Sequence, residues 1–87
     1  MLMAKVVGSV VSTQKNAALF GKKLMIIQPI DSNFEHIHSQ QVAADTVGAG
    51  INDYVLLSCG SSARKLFSEP ADAVDCAIVG IIDTFDT

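Results

Sequence analysis

The stretch that decides how this chain folds and assembles reads Asp45-Thr46-Val47-Gly48-Ala49-Gly50. It is a polar strand end followed by a turn of small residues. Two glycines separated by an alanine allow positive φ, or an approach of another group so close that no Cβ would fit. The candidates for that group are a phosphate, another segment of the same chain or a neighbouring subunit. The turn therefore predicts a close contact whose partner must be inferred from the surrounding sequence.

The composition predicts one small domain with more apolar surface than it can bury alone. The chain has 87 residues, of which 49% are hydrophobic and 17% are charged, whereas globular chains average nearer a quarter charged. A domain of this size buries only a modest fraction of its surface, so its polar side chains are too few to cover it. We expect residues 1–87 to form a single domain whose excess apolar surface is covered by protein, most simply by another copy.

Hydropathy and charge argue against two other classes of partner. The apolar runs at residues 6–11, 24–27 and 76–82 are far below the roughly 18 residues needed to span a bilayer, so no membrane partner is expected. The net charge is -3 without blocks of like charge, which argues against nucleic acid. The N-terminal sequence lacks the features of a secretory signal. We therefore interpret the chain as intracellular and expect Cys59 and Cys76 to be reduced thiols.

Short apolar segments separated by turn-forming residues predict a mostly β domain. Strands are expected at residues 5–12, 22–28, 36–47, 54–57 and 76–85. Gly8 lies where a barrel corner or bulge is expected, and Pro29 is expected to end the second strand because it lacks a ladder donor. A short helix is predicted from Ser61 or Ser62 through Phe67. The sequence thus predicts an all-β fold, a five-stranded, partly open barrel of the oligonucleotide-binding type with one short helix.

The candidate catalytic and metal-binding motifs are incomplete. Gly48-Ala49-Gly50 lacks the later glycine and the Gly-Lys-Ser or Gly-Lys-Thr of a nucleotide-binding loop. Gly60-Ser61-Ser62-Ala63-Arg64 is similar to a nucleophile elbow, but arginine occupies the position of the second glycine. His36 and His38 could join the two cysteines in a zinc site, yet those cysteines lack the close spacing typical of such sites. We predict no enzyme activity, no catalytic residues, no cofactor and no bound metal.

An opening set of motifs and three later motifs occur in order along nearly the whole chain. The first is Gly8-Ser9-Val10-Val11-Ser12-Thr13 with Lys15, Leu19 and Gly21, continued by Lys23-Leu24, Gln28-Pro29 and Asp31. The later motifs are residues 45–50, then Gly60-Ser61-Ser62-Ala63-Arg64, then Asp75 with Ala77-Ile78-Val79-Gly80-Ile81-Ile82-Asp83. In this order and spacing the chain resembles the bacterial microcompartment vertex family, the pentameric shell proteins of ethanolamine-utilisation compartments and carboxysomes.

The resemblance implies a structural protein without chemistry of its own. It implies a five-stranded barrel that assembles into a homopentamer and fills the five-fold vertices of a microcompartment shell in the bacterial cytoplasm, beside hexameric shell proteins. Hexagonal tiles alone make a flat sheet, so a closed shell requires units with five-fold symmetry, which a cyclic heterologous interface supplies. The excess apolar surface would then be subunit interface. The alternative is a small intracellular binding module that uses the barrel face for a ligand or nucleic acid.

Two motifs supply the residues expected at a subunit interface or pore. They are Asp45, Thr46, Gly48, Ala49, Gly50, Gly60, Ser61, Ser62 and Arg64. Arg64 could reach a carboxylate across the subunit boundary, with Asp45 as the candidate partner. Gly48 and Gly50 either let the turn pack near the symmetry axis or shape a turn within the chain. The family commonly continues with glycine and glutamate where this chain has Ile51-Asn52-Asp53, so any contact made by that glutamate is not transferred.

Overall fold

The computed structural model describes residues 1–11, 23–60 and 75–84. These ranges contain five strands: β1 (Leu2–Ser9), β2 (Lys23–Ile30), β3 (Gln41–Asp45), β4 (Tyr54–Cys59) and β5 (Cys76–Ile81). Each is a short run in which aliphatic residues predominate, and β-branched valine and isoleucine favour extended backbone. The predicted short helix begins at Ser61 or Ser62 and lies outside the described residues. Within the described ranges, no helix is long and apolar enough to cross a membrane.

The strands of the described residues close into one barrel in the order β1-β2-β3-β5-β4. Strands β3 and β5 run parallel, and the other neighbouring strands run antiparallel. The five-stranded all-β barrel predicted from the sequence is confirmed. The ring is closed rather than partly open, because β4 pairs with β1 from Leu2 to Lys5. Closure gives every strand a neighbour on both sides and removes free sheet edges.

The barrel interior is filled by side chains from all five strands. The buried core consists of Ala4, Val6, Met25, Ile27, Ala43, Ala49, Val55, Leu57, Cys76 and Ile78. Successive side chains of a strand point to opposite faces, so Lys5, between two core residues of β1, points away from the core. A barrel of so few strands has a narrow interior, and alanines alternate with larger side chains to fill it. Ala49 is the core residue that comes from the turn after β3, which attaches that turn to the interior.

Two valines are extra residues in the strand ladders. The pairing of β1 with β2 shifts between Val6 and Gly8, which leaves Val7 as a bulge. A second shift in the β4–β5 pairing leaves Val79 unpaired before Gly80. Bulges bend a strand and increase its twist, which a small barrel requires in order to close. The bulge expected at Gly8 is confirmed, and the one before Gly80 was not anticipated.

Pro29 was expected to end the second strand but lies inside β2, opposite Ala4. Its carbonyl accepts a hydrogen bond from the Ile37 N–H at 3.2 Å. The β2–β3 ladder has already ended at Ile27. The side of Pro29 that lacks a donor therefore faces the loop between β2 and β3 rather than a strand, and proline is tolerated in such positions.

The loop of residues 31–40 shortens β3 relative to the prediction of a strand from residue 36 to residue 47. The Asp31 carboxylate accepts hydrogen bonds from the N–H groups of Asn33 at 2.8 Å and Glu35 at 3.1 Å. Such local side-chain bonds compete with strand pairing, so His36 forms only an isolated bridge to Ile30 and the ladder with β2 begins at Gln41. The fifth strand, predicted to reach residue 85, ends at Ile81.

Cys59 and Cys76 form a disulfide, so the expectation of two reduced thiols is wrong for this structure. The two residues are direct partners in the antiparallel β4–β5 ladder. They are separated by 17 positions in the sequence, a spacing that gives no sign of pairing. The barrel topology brings the two sulfurs together.

Candidate functional site

The turn after β3 is organised by the carboxylate of Asp45. Its Oδ1 accepts hydrogen bonds from the N–H groups of Val47 at 2.9 Å and Gly48 at 3.1 Å, and its Oδ2 accepts one from Ala49 at 2.8 Å. Aspartate suits this position because its short side chain bonds readily to backbone a few residues further along. One side chain therefore satisfies three consecutive N–H groups and fixes the path of residues 46–49.

Lys23, the first residue of β2, closes the same turn from the neighbouring strand. Its Nζ donates to the Ala49 carbonyl at 2.8 Å and lies 3.6 Å from Asp45 Oδ2, with the two side chains 54% and 1% exposed respectively. A carboxylate so removed from water must be compensated by hydrogen bonds and opposite charge. The three N–H groups and the lysine provide both. The turn is thus a built part of the barrel.

Gly48 and Gly50 have different reasons to be glycine. Gly48 has φ 81°, and a Cβ placed on it would meet no atom of the described chain within 4 Å. The left-handed backbone, rather than a close approach within the chain, therefore explains this glycine. Gly50 does not adopt positive φ, and a Cβ there would lie 3.6 Å from Asp53 Oδ2, an ordinary contact. The described chain does not require glycine at position 50.

Thr46 attaches the start of the turn to β5. Its backbone N–H and its Oγ1 both donate to the Ile78 carbonyl, at 3.3 Å and 2.6 Å. These two hydrogen bonds and the buried side chain of Ala49 attach the turn to the barrel at two points. Side chains that the turn directs outward are therefore held in place.

The second half of the turn reaches across to β1. Gly50 N–H donates to Asp53 Oδ2 at 2.8 Å, and Asp53 N–H donates to the Gly50 carbonyl at 3.1 Å. Asn52 has φ 77°, a conformation that asparagine tolerates better than most residues. The Asn52 N–H donates to the Val6 carbonyl at 2.8 Å, and the Val6 N–H donates to the Asp53 backbone carbonyl at 2.9 Å. The Asp53 carboxylate is a local cap in this chain.

Four exposed aliphatic residues surround the turn and the start of β4. They are Val7, Val47, Ile51 and Ile81, and we call them the apolar rim. Val7 follows Val6, whose backbone bonds to Asn52 and Asp53. Ile81 lies opposite Val55, near the start of β4. Exposed apolar residues around one turn of a small domain are a candidate contact surface for another molecule.

Gly60 is the one interface candidate of the second motif that the described residues include. It has φ 72°, and its N–H donates to the Asp75 carbonyl at 2.7 Å. Ser61, Ser62 and Arg64 lie outside the described residues, so the contact between Arg64 and Asp45 stays a prediction. Within the described chain, Asp45 is engaged by its own turn and by Lys23.

The candidate metal ligands are not gathered in one place. The two cysteines are bonded to each other, and His36 and His38 are exposed in the loop after β2. In the described part of the chain, no group of three or more histidine, cysteine, aspartate or glutamate residues is placed to hold a metal ion.

Two polar residues with clear structural roles, Lys23 and Gln28, were missed as site residues. Gln28 is buried, and its Nε2 donates to the carbonyls of Pro29 at 2.9 Å and His38 at 2.8 Å, which fixes the loop over the outside of β2. Lys23 bonds to a residue 26 positions away and Gln28 to one 10 positions away, so strand periodicity alone did not reveal these roles. Two signals were available: both residues belong to the opening set of motifs, and a lysine and a glutamine interrupt an otherwise apolar strand.

Known proteins match this chain over nearly its full length. The family model described as "Ethanolamine utilisation protein EutN/carboxysome" matches residues 1–83. The microcompartment shell vertex protein PduN of Salmonella typhimurium is 50% identical over 88 residues, with 97% of each chain covered. The solved structure of GrpN, a pentameric microcompartment shell protein from Rhodospirillum rubrum, is 45% identical, has a TM-score of 0.87 and covers 100% of both chains.

The solved structure of CcmL from Nostoc is 47% identical, with a TM-score of 0.86, 98% of this chain and 92% of CcmL covered. CcmL of Nostoc is named as a carboxysome shell vertex protein. These relatives are structural shell proteins and not enzymes. The family match over residues 1–83, the high identity and the shared barrel lead to one conclusion: the chain belongs to the ethanolamine-utilisation EutN/carboxysome family of microcompartment shell vertex proteins.

Proposed function

We propose that five copies of this chain form a ring that occupies the five-fold vertices of a microcompartment shell in the bacterial cytoplasm, with hexameric shell proteins around it. The observation that carries this proposal is the likeness to GrpN, a pentameric shell protein that is 45% identical over 100% of both chains with a TM-score of 0.87. That identity and coverage support the same kind of assembly for this chain. The role is structural, because a vertex unit seals a shell and transforms no substrate.

The closed barrel constrains how such a ring is built. Every strand of the described barrel already has two neighbours, so a second copy cannot join by adding a strand to an open edge. Within residues 1–11, 23–60 and 75–84, contacts between copies are therefore made by side chains and turns. A head-to-tail interface of this kind joins two different surfaces of the chain and closes into a ring when the rotation fits.

The apolar rim supplies one of those surfaces. Ile51 is 56% exposed, and Val7, Val47 and Ile81 are each about two-fifths exposed. Burying the exposed part of such a side chain stabilises an interface by about 1 kcal/mol. The turn that carries Val47 and Ile51 is held by Asp45, Lys23, Thr46 and Ala49, so the rim is preorganised and little conformational entropy is lost on contact.

The site residues take two roles under this proposal. Asp45, Thr46, Gly48, Ala49 and Gly50 form the turn that presents the rim. Gly60, Ser61, Ser62 and Arg64 belong to the second contacting surface, with Arg64 pairing with a carboxylate of the next copy. Because the Asp45 side chain is 1% exposed, a partner's guanidinium would have to approach it through the turn.

Imaging of assembled shells tests the proposed location. Shells purified from cells that express this chain together with the hexameric shell proteins of the same operon should show a plug of density at each five-fold position. Shells from cells lacking this chain should have empty five-fold positions. Five-fold positions that are filled equally in both preparations would contradict the vertex role.

A further inference from the structure

The disulfide lies where the chain leaves β4 and enters β5. Cys59 and Cys76 are the last directly paired residues of that ladder, and the bond from Gly60 N–H to the Asp75 carbonyl follows immediately. The covalent link therefore joins the end of β4 to the start of β5. This chain has two cysteines in all, so no other thiol competes for either partner.

The two sulfurs differ in access. Cys76 is 4% exposed and belongs to the core, whereas Cys59 is half-buried and packs against the core from its margin. Thiol–disulfide exchange requires an incoming thiolate to reach a sulfur atom. Attack from solvent is therefore directed to Cys59, which makes Cys76 the leaving sulfur.

The surroundings of Cys76 also suit the reduced state of the cysteine pair. Gln41 Oε1 lies 3.6 Å from Cys76 Sγ, and in the disulfide this sulfur carries no proton to donate. In the dithiol, Cys76 S–H would donate a weak hydrogen bond to that oxygen. The side chain of Gln41, at the start of β3, thus provides the reduced Cys76 with a partner without rearrangement of the barrel.

We propose that Cys59 and Cys76 form a reversible thiol–disulfide pair in which Cys59 exchanges with small-molecule thiols and oxidation locks β4 to β5. When the oxidant is a low-molecular-weight disulfide such as oxidised glutathione, the Cys59 thiolate attacks one of its sulfurs and expels one glutathione thiolate. The Cys76 thiolate then attacks Cys59 Sγ and expels the second glutathione thiolate. Two protein thiols are oxidised by two electrons, their protons pass to the two glutathione thiolates through solvent, and reduction is the reverse.

Two single-cysteine variants test the asymmetry of the pair. Incubated with oxidised glutathione, Cys76→Ser should gain one glutathionyl group on Cys59, as measured by intact-protein mass spectrometry. Cys59→Ser, in which the remaining thiol is buried, should react at least about tenfold more slowly. Equal rates in the two folded variants, or faster reaction of Cys59→Ser, would overturn the assignment of Cys59 as the exchanging sulfur.

Thermal unfolding tests the lock. At one fixed protein concentration, the oxidised protein should melt about 10 °C or more above the protein held in excess dithiothreitol, since a disulfide closing a loop of this length stabilises strongly in a chain of this size. The double variant Cys59→Ala/Cys76→Ala should melt at the same temperature with and without reductant. A wild-type midpoint that does not respond to reductant, or a disulfide that glutathione buffers cannot reduce in the folded protein, would overturn the proposal.

The glutathione redox equilibrium of a Gln41 variant tests the role of this side chain. Gln41→Leu removes the acceptor for the reduced Cys76 and should shift the glutathione redox equilibrium toward the disulfide by about twofold, as expected for one weak hydrogen bond. The same substitution at the exposed Gln40 is the matched control and should leave the equilibrium unchanged. Equal effects of the two substitutions would contradict the role of Gln41.

Discussion

At the scale of single residues, the Asp45 carboxylate explains why the turn after β3 has a fixed shape. Its charge is compensated by three N–H groups and by Lys23, and its neighbours therefore depend on it. Aspartate in front of a small-residue turn is visible in the sequence. The lysine that completes the arrangement comes from another strand and is not.

Asp45→Asn should lower the stability of the protein by about 1–3 kcal/mol, because the amide weakens the three N–H bonds and leaves Lys23 without its counter-charge. Asp31→Asn is the control, since Asp31 accepts two N–H bonds in an exposed loop. It should cost less than Asp45→Asn in thermal or denaturant unfolding. Equal losses would show that burial of the Asp45 carboxylate does not matter.

Substitutions of the two glycines of the turn are expected to change stability by different amounts. Gly48→Ala forces a Cβ into the left-handed region and should destabilise the protein by about 1–2 kcal/mol. Gly50→Ala should leave the fold's stability nearly unchanged, because the described chain has room for a methyl group there. Unfolding curves for both variants, with the mass in solution recorded alongside, separate the roles. A Gly50→Ala protein as unstable as Gly48→Ala would contradict the backbone account.

At the scale of elements, the sequence predicted five strands but misplaced several boundaries, and the physical reasons differ. Pro29 remains in β2 because the side that lacks its N–H faces a loop. The start of β3 moved because Asp31 bonds locally and keeps residues 31–40 out of the ladder. In both places the outcome depends on which neighbour stands beside the strand, and one-dimensional patterns do not contain that information.

The loop after β2 depends on the buried Gln28. Gln28→Leu removes its hydrogen bond to the His38 carbonyl and should speed amide hydrogen exchange in residues 31–40 by about tenfold, as expected for the loss of one buried hydrogen bond. Gln40→Leu, the same change at an exposed position of that loop, should leave exchange unchanged. Similar exchange in the two variants would show that Gln28 does not hold the loop.

At the scale of the whole molecule, composition and structure lead to the same conclusion. The low charge content implied a surface covered by another molecule, and the closed barrel exposes an apolar rim around one turn. Composition could not locate that surface, because the rim combines residues from β1, β5 and the turn. The order and spacing of the motifs pointed to the family, although each motif alone is weak evidence.

The rim is tested by a matched pair of charge substitutions. Ile51→Asp should weaken assembly and release smaller species, because a carboxylate would be buried in the interface without a partner. Ile37→Asp is the control, since Ile37 is 43% exposed but lies in the loop after β2. Circular dichroism must show that both variants are folded. Assembly of Ile51→Asp at wild-type affinity would exclude Ile51 from the interface.

The central claim is that this chain assembles as a ring of five. Native mass spectrometry of the purified wild-type protein tests it most directly, across a dilution series that separates specific assembly from aggregation. The account predicts a single dominant species of five times the 9.2 kDa chain. A monomer or a dimer as the dominant species at all concentrations would contradict it.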